Sequence, residues 1–596
     1  MKGILKKGYS SEWGRCLIAA GMTAVFFLVI NWKSHVVFFI NDDENILYSL
    51  AGYYTNGIPG DHSFVNYLLA AFIGGLYSLI PAVPWYGVFH VVVLFLSVMA
   101  ISMALLRIAE KSHVPLFAAL CLISSMVLLC YLYPVTLMQF TTTSAMAGTA
   151  AVALLVSADM DEENNRIVDH VLSGVFMVVC YCHRKNTGNV ILCFYTLVMV
   201  YQLAKRFCAL GEAKNKVKKT LINKGPGCFF ATLLCIIFAV LISQNVVRTN
   251  EEWNNFYKFD EARFKVTDYD HDSYWENPEL YEEMGWSASL YRLCATGYLF
   301  FMDERVNAES FEAISETGYQ NTDSSLSQCF GNFSELINNE RLARICFGLL
   351  IVLFATSVGL ALRCWKKNIC EVVLVCCAVG GAALMSFYLC WKGRFILRAF
   401  QTILYPAIVI AVATLFRVMG NLPRVKRSCG RIVSCFVAIL LMGGLVLSLG
   451  YQMLTETRLL AHSRIEKSAR THMVEEYAIE NPDNMYIYDT SLTFRYSPFV
   501  TYTDGYPSNL SYWGGMGWNS PTFWEQVRQN GLEDLNSDVF FEENVYYVSY
   551  SEFTAGGELI KDIFMEYMTE TYGNVTIEQV DEITPEILVY KLSKGD

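Results

Sequence analysis

Three consecutive carboxylates follow the first long apolar run of the chain. The run covers residues 16–40, and Asp42, Asp43 and Glu44 come directly after it. Charge is costly inside a bilayer, so acids at the point where a helix leaves the hydrocarbon commonly mark a pathway or a site. Such acids can act as a general base or bind a divalent cation. The alternative is that they simply mark the polar end of a membrane helix.

Two basic clusters lie between apolar runs, at ends that the topology described below places outside. Cytoplasmic loops normally carry the Lys/Arg excess, so outer cations need an anion. The anion could be a lipid headgroup, a loop carboxylate, or a bound phosphate or pyrophosphate. The alternative is snorkelling to ordinary phospholipid headgroups. The first cluster is His183, Arg184 and Lys185, and the second includes Lys392, Arg394 and Arg398.

Together, the acids and cations predict a site for a phosphorylated lipid. Glycosyl transfer from a lipid phosphate needs a base near the acceptor hydroxyl and cations that stabilise the departing phosphate. Asp42 or Asp43 would supply the base, and the outer cations would bind the phosphate. A divalent cation, Mg²⁺ or Mn²⁺, held by Asp42, Asp43 or Glu44 could instead stabilise the departing phosphate. Adjacent acids alone leave both roles open.

Other polar residues near the same face could contact the substrate. Asp61 and His62 follow the acids, although a turn-forming Asp is an equal alternative. Gln139 and 141–143 lie at the outer end of the fourth apolar run, where helix capping is favoured over sugar binding. Trp253 near the start of a polar insert suits carbohydrate stacking, but interfacial Trp also anchors membrane proteins.

The composition indicates a polytopic membrane protein. The chain has 596 residues, of which 54% are hydrophobic and 17% charged, and its net charge of -11 argues against a nucleic-acid partner. Apolar runs of about 20 residues recur along it. Cys294 and Cys329 could form a disulfide, which the sequence does not decide. The eleven predicted spans are 16–40, 85–106, 114–131, 137–156, 168–181, 190–204, 228–242, 345–362, 372–389, 397–416 and 432–449.

The basic residues predict the orientation, with the N-terminus cytoplasmic. The five large basic clusters lie within 2–15, 107–111, 205–224, 363–367 and 417–431. All five fall inside only if 64–80 does not cross, so we predict a juxtamembrane or re-entrant helix there. Two segments then lie outside: the helical insert 246–341, and a terminal α/β domain with strands at 485–488, 545–548, 575–580 and 587–592 and a helix at 559–572. The predicted domains are a transmembrane unit, 1–452, which contains the first outer loop 41–84, and an extracytoplasmic unit, 453–596.

This layout resembles the GT-C superfamily of integral membrane glycosyltransferases, which use polyprenyl-phosphate or polyprenyl-diphosphate sugars. The resemblance rests on Asp42-Asp43 in the first outer loop, the juxtamembrane helix, the large insert and the C-terminal outer domain. It implies that the first-loop acid is a base or metal ligand, and that outer Arg and Lys residues bind the lipid phosphate. The residues concerned are Asp42, Asp43, Arg184, Lys185, Arg394 and Arg398.

The insert also resembles that of uncharacterised bacterial multispanning proteins near this superfamily. The residues behind this likeness are Arg263, Asp268-Tyr269 and Gly285-Trp286-Ser287. The chain lacks a Trp-Trp-Asp motif like that of oligosaccharyltransferases, which argues against that branch.

The sequence therefore predicts a GT-C-like glycosyltransferase, a mainly α multi-pass protein of the cell membrane with about eleven spans and a C-terminal α/β domain. Its expected partners are membrane lipid, a polyprenyl-phosphate-linked sugar, and a glycan, lipid or protein acceptor. One alternative is a polymerase or ligase of lipid-linked surface glycans. Others are a lipid flippase or transporter, and a non-catalytic protein of surface-polysaccharide assembly.

Overall fold

The structure is a computed structural model, and it describes most of the chain. Each of the eleven predicted apolar runs overlaps a helix, although the first run continues past the end of its helix into a strand and the fourth begins in a strand. The described residues are 9–53, 64–158, 167–209, 224–269, 271–297, 303–320, 326–394, 396–422, 429–489, 492, 495–502, 506–512, 520–532, 536–552, 554–555 and 557–595.

The membrane domain begins with elements that alternate between long helices and short connections. They are α1 (Glu12–Lys33), β1 (Val37–Phe38), α2 (Asn41–Ala51), α3 (Tyr67–Leu79), α4 (Trp85–Lys111), α5 (Leu116–Met126), a π-helical turn (Val127–Tyr131), α6 (Leu132–Thr136), β2 (Leu137–Met138), α7 (Phe140–Ser157), α8 (Ile167–His183), α9 (Lys185–Ala209) and α10 (Lys224–Thr249).

The chain then forms the helical insert and returns to the membrane domain. The insert contains α11 (Glu251–Asp268), α12 (Pro278–Glu283), α13 (Ala288–Gly297), α14 (Ala308–Gln320) and α15 (Leu326–Asn339). The later long helices are α16 (Arg341–Ala361), α17 (Trp365–Trp391), α18 (Leu397–Gly420) and α19 (Cys429–Glu480), with a 3-10 turn at Leu362–Cys364.

Eight helical stretches in the described part of the chain are long and apolar enough to cross a membrane. One of them, Arg341–Trp391, contains both α16 and α17. Ile167–His183 and Tyr67–Leu79 are shorter apolar helices. The chain is thus a multi-pass membrane protein, while the number eleven and the sidedness stay predictions.

Two helices form the centre of the membrane domain. Every residue of α7 is buried, and most of α18 is buried as well. Small side chains allow this close packing, since helices in a bilayer approach best through Gly, Ala, Ser and Thr. A Cβ on Gly148 would lie 2.7 Å from Cγ2 of Ile191, which shows how closely α7 meets α9.

The first span and the first outer segment differ from the prediction. Helix α1 ends at Lys33, and the chain then becomes extended and pairs β1 with β2 in parallel, Val37 opposite Leu137. The acids predicted to lie in a loop instead form the first turn of α2. The backbone needs partners after α1 ends, and strand pairing followed by a new helix supplies them.

The predicted helix within 64–80 is confirmed as α3. It has 13 residues, so at about 1.5 Å per residue it is about 20 Å long, short of a hydrocarbon core about 30 Å thick. Asn66 caps its first turn by accepting a hydrogen bond from the backbone of Leu68. Its position relative to the membrane surface stays a prediction.

The terminal segment forms the predicted α/β unit. Its five-stranded sheet has the order β4-β3-β5-β9-β8, with β3 parallel to β4 and β5, and β9 antiparallel to β5 and β8. The elements are β3 (Met485–Tyr488), β4 (Leu510–Tyr512), α20 (Pro521–Gln529), a 3-10 turn (Ser537–Phe541), β5 (Val545–Tyr550), β6 (Thr554–Ala555), β7 (Glu558–Leu559), α21 (Ile560–Tyr572), β8 (Val575–Thr584) and β9 (Ile587–Lys594).

The insert and the terminal unit share one hydrophobic core. Phe259 and Trp286 of the insert belong to the same buried cluster as Met485 and Phe564 of the terminal unit. The predicted boundary between 452 and 453 lies inside the continuous helix α19. Cys294 and Cys329 are both buried and no disulfide joins them. Cys294 is in this shared core, whereas Cys329 packs with the membrane domain.

Candidate functional site

The pairing of β1 with β2 brings the start of α2 against the start of α7. There the backbone N–H of Phe140 donates to Oδ1 of Asp43 at 2.7 Å, and the Tyr86 hydroxyl donates to the same oxygen at 3.2 Å. Nε2 of His90 lies 3.7 Å from it. Asp43 is fully buried. Its carboxylate therefore caps the N-terminus of α7, where the helix dipole favours negative charge.

The second oxygen of Asp43 is left for another group. Oδ2 is buried and has no hydrogen-bond partner within the described residues. Burial, and then the charge of Asp42, raise the pKa of Asp43 well above its ordinary value; the bonds from Phe140 and Tyr86 and the charge of Arg398 oppose this. In this carboxylate, Oδ1 is fixed by hydrogen bonds, Oδ2 has no partner among the described residues, and the pKa is raised. These properties suit a general base.

A buried histidine pair, part of which the sequence prediction missed, lies beside this carboxylate. Nδ1 of His90 is 2.8 Å from Oγ1 of Thr143 on α7. The ring of His183 is 5.0 Å from that of His90 and 5.1 Å from that of Phe89. His183, predicted to bind phosphate, is thus enclosed by rings. An ionisable residue near the start of an apolar span was the signal that could have identified His90.

Three arginines of the predicted cation clusters meet at a groove of about 410 Å³, which helices α7, α9, α17 and α18 border. Arg184, Arg394 and Arg398 line it, and the exposed Lys185 and Lys392 are not among its described lining residues. Most of the other walls are apolar. They include Val190, Leu384, Met385, Leu389, Ile396 and Ile403.

Aromatic rings hold two of these arginines. The guanidinium of Arg184 lies 4.4 Å from the ring centre of Phe140, the residue whose backbone binds Asp43. Arg394 donates to the Tyr269 hydroxyl at 3.2 Å and lies 5.1 Å from the ring of Phe264. Because Tyr269 and Phe264 belong to the insert, the insert helps to position the groove.

The arginines and the acids are close enough to affect each other. Burial, followed by the charge of Arg398, lowers the pKa of Arg184 to about 10, while Asp42 and Asp43 act in the opposite direction. Asp42 is only half-buried, in contrast to Asp43. The structure therefore brings Asp43 together with Arg184 and Arg398, two of the cations predicted from the sequence.

Glu44 belongs to a different network, which joins α2 to the terminal unit. It is fully buried, and the Tyr48 hydroxyl donates to its Oε1 at 3.0 Å. The Tyr48 hydroxyl is 2.8 Å from that of Tyr502, which donates to Glu475 at 2.7 Å. Arg495 forms an ion pair with Glu475 at 2.6 Å.

The three consecutive acids thus do not form a common cation site. Asp43 contacts α4 and α7, whereas Glu44 bonds to the tyrosine network. Within the described residues, no group of three or more His, Cys, Asp or Glu is arranged to hold a metal ion. The predicted Mg²⁺ or Mn²⁺ site stays a prediction.

The remaining predicted contacts have other surroundings. Gln139 is buried and occupies the N-cap position of α7, but its side chain makes no capping hydrogen bond; the carboxylate of Asp43 accepts from the backbone of Phe140 instead. The ring of Trp253 contacts Phe256 and Tyr257 on its own helix. The predicted Asp61 and His62 lie outside the described residues.

Fold and site define a multi-pass helical membrane protein with a terminal α/β unit and a buried acid beside an arginine-lined groove. No family model and no curated protein matches the chain. The structure is similar to ArnT from Cupriavidus metallidurans bound to undecaprenyl phosphate, with TM-score 0.39, and to its apo state, with TM-score 0.40. Each comparison has 11% identity and covers 96% of this chain and 97% of ArnT. Since these scores are low, we base the functional proposal on the site itself.

Proposed function

We propose that the protein transfers a sugar from a polyprenyl-phosphate donor to an acceptor hydroxyl at this site. The observation behind the proposal is that the buried Asp43 stands next to an apolar groove with three arginines. Apolar walls suit a polyprenyl chain, and guanidinium groups suit phosphate, which they bind through two parallel hydrogen bonds. The acceptor class is a glycan, a lipid or a protein.

In the proposed reaction, Oδ2 of Asp43 takes the proton from the acceptor hydroxyl. The acceptor oxygen forms a bond to the anomeric carbon as the bond from that carbon to the phosphate oxygen breaks. The electron pair of the broken bond leaves with the lipid phosphate, where Arg184 and Arg398 stabilise its charge. Tyr86 and the backbone of Phe140 keep Oδ1 in place during the proton transfer.

The apolar groove also fits the expected membrane lipid partner and a multi-pass location. ArnT, one of the similar proteins, has been solved with undecaprenyl phosphate, which belongs to the lipid class proposed here. We propose the end of the bundle with Asp43 as the outer face, following the Lys/Arg distribution.

The test compares two adjacent acids. Purified Asp43→Asn protein is expected to lose transfer from a panel of polyprenyl-phosphate sugars by about 100-fold or more, the usual contribution of a general base. Asparagine can still accept the hydrogen bond from Phe140, so folding and binding of undecaprenyl phosphate should persist. Asp42→Asn, at the half-buried neighbour, is the matched control and should keep most activity.

Full activity of Asp43→Asn would overturn the proposed base. If transfer survived this change but were lost in Arg184→Gln and Arg398→Gln, the polymerase or ligase alternative would be favoured. Thermal unfolding of each variant distinguishes a loss of chemistry from a loss of fold.

A further inference from the structure

A second pocket lies at the other end of the same helices. Its volume is about 400 Å³, and Ile108 on α4, Ser157 on α7 and Arg417 on α18 line it. Tyr86 and Ile108 are both on α4 and 22 positions apart, so at about 1.5 Å per residue the two sites are separated by about 33 Å. This is close to the thickness of a bilayer core. The Lys/Arg distribution predicts that this end is cytoplasmic.

The pocket carries more positive than negative charge. Glu371 is its single carboxylate within the described lining, and it is buried. Glu371 pairs with Arg417 at 3.2 Å and with Lys205 at 3.4 Å, and it accepts a hydrogen bond from Tyr201. Lys111 adds a third cation. Three cations therefore accompany one carboxylate among the described lining residues, which favours an anionic ligand.

A buried acceptor in the lining indicates a second property of the ligand. Nε2 of Gln202 donates to the carbonyl oxygens of Leu155 and Ala158, which fixes the orientation of its amide. Oε1 of Gln202 is buried and has no hydrogen-bond partner within the described residues. A buried acceptor without a donor is costly, so a ligand with hydroxyl groups would stabilise it.

The remaining lining excludes a long apolar chain as the main occupant. Beside the charged groups, the described lining presents Ser112, Ser157 and Asn421, and its only aliphatic side chains are Ile108 and Ala158. This contrasts with the apolar walls of the groove near Asp43. The pocket therefore suits a small polar group that bears both phosphate and hydroxyls.

We propose that this pocket binds a phosphate-bearing polyol, either a soluble molecule or the headgroup of a lipid in the facing leaflet. The cations hold the phosphate, and Oε1 of Gln202 accepts from a hydroxyl. The site is distinct from the proposed transferase site, and its occupancy does not depend on transfer.

The experiment uses the full chain in phosphatidylcholine nanodiscs. Glycerol 3-phosphate is titrated and followed by calorimetry, and inorganic phosphate is titrated in parallel. A second arm adds phosphatidylglycerol to the nanodiscs and measures retained lipid by native mass spectrometry. Glycerol 3-phosphate should bind more tightly than inorganic phosphate if the source is soluble, whereas retained phosphatidylglycerol identifies a lipid source.

The test variant is Lys111→Glu, at an exposed helix-end residue where folding should persist. It should weaken binding by about tenfold, the effect of about 1.4 kcal/mol. Lys366→Gln, at an exposed residue outside the pocket lining, is the matched control and should bind like the wild type.

Two results would overturn the proposal. One is that the wild type binds neither glycerol 3-phosphate nor phosphatidylglycerol. The other is that Lys111→Glu and Lys366→Gln bind as tightly as the wild type. Gln202→Leu checks the hydroxyl contact: it should reduce the preference for glycerol 3-phosphate over inorganic phosphate, and an unchanged preference would contradict that contact.

Discussion

The two ends of α7, α9 and α18 carry pockets of nearly equal volume, about 410 Å³ near Asp43 and about 400 Å³ near Glu371. Their linings differ. The first combines three arginines with apolar walls, and its acid, Asp43, lies beside the lining rather than in it. In the second, the carboxylate is in the lining and pairs with two cations.

This difference separates two uses of buried charge. Glu371 is compensated by Arg417 and Lys205, the arrangement that makes a buried carboxylate stable. Among the described residues, Asp43 accepts hydrogen bonds at one oxygen only, and Nε2 of His90 lies 3.7 Å from that oxygen. A site that must move a proton needs such an uncompensated group, whereas a site that only binds an anion does not.

The largest expected effect tests whether the first groove depends on its arginines. The double change Arg184→Gln and Arg398→Gln should weaken binding of undecaprenyl phosphate by about 100-fold or more, since each charged hydrogen bond contributes about 1.5–3 kcal/mol. Binding of glycerol 3-phosphate at the opposite end should be unchanged. Calorimetry on the same nanodisc preparation measures both.

The matched control for that experiment is Lys185→Gln with Lys392→Gln. These two cations are exposed neighbours of the same clusters, and exposed charges contribute at most about 1 kcal/mol each. Equal losses in both double variants would show that the general positive charge of this end, and not the groove, attracts the lipid.

A smaller effect is expected from packing at the second pocket. A Cβ on Gly420 would lie 2.7 Å from the carbonyl oxygen of Ser112, so α18 and the end of α4 would have to separate. Gly420→Ala should therefore lower the free energy of unfolding by about 1–3 kcal/mol and weaken glycerol 3-phosphate binding. Donor binding at the arginine groove should persist.

Gly380→Ala is the control for this change, because a Cβ at Gly380 on α17 would meet no atom within 4 Å. It should leave stability unchanged or raise it, since alanine favours helix over glycine by about 1 kcal/mol. Thermal unfolding of both variants measures this difference in stability. A similar loss in both would indicate that helix bending, and not the contact with Ser112, explains the result.

The smallest effect is a shift in pH dependence. A base acts only when it is ionised, so transfer should fall as pH falls through the pKa of Asp43, which lies above that of an ordinary carboxyl group. Asp42→Asn removes a like charge that raises this pKa. The acidic limb of the kcat/KM profile should therefore move to lower pH. A move to higher pH would contradict the assignment of that limb to Asp43.

The sequence predicted the participants of the arginine groove better than their arrangement. Arg184, Arg394 and Arg398 stood out because cations opposed the expected charge bias. The bond from Phe140 to Asp43 joins residues 97 positions apart, and the contact between the Tyr48 and Tyr502 hydroxyls spans 454 positions. Such pairings depend on which helices pack together, and local patterns do not contain that information.

The second pocket shows the same limit in another form. Lys111, Lys205 and Arg417 entered the prediction only as markers of membrane orientation. Their side chains meet because α4, α9 and α18 end at the same level around the buried Glu371. Most helices and strands followed from apolar periodicity. The end of α1 at Lys33 did not, because the extended segment after it pairs β1 with β2, about a hundred residues away.

The core shared by the insert and the terminal sheet has a consequence for synthesis. The insert leaves the ribosome long before β9, the last strand, and yet Trp286 packs in the same cluster as Tyr590 and Leu592. Domains generally fold in the order in which they are made. Here the insert must wait for β9, and a chain that stopped before β9 would expose the insert's apolar face to the surroundings.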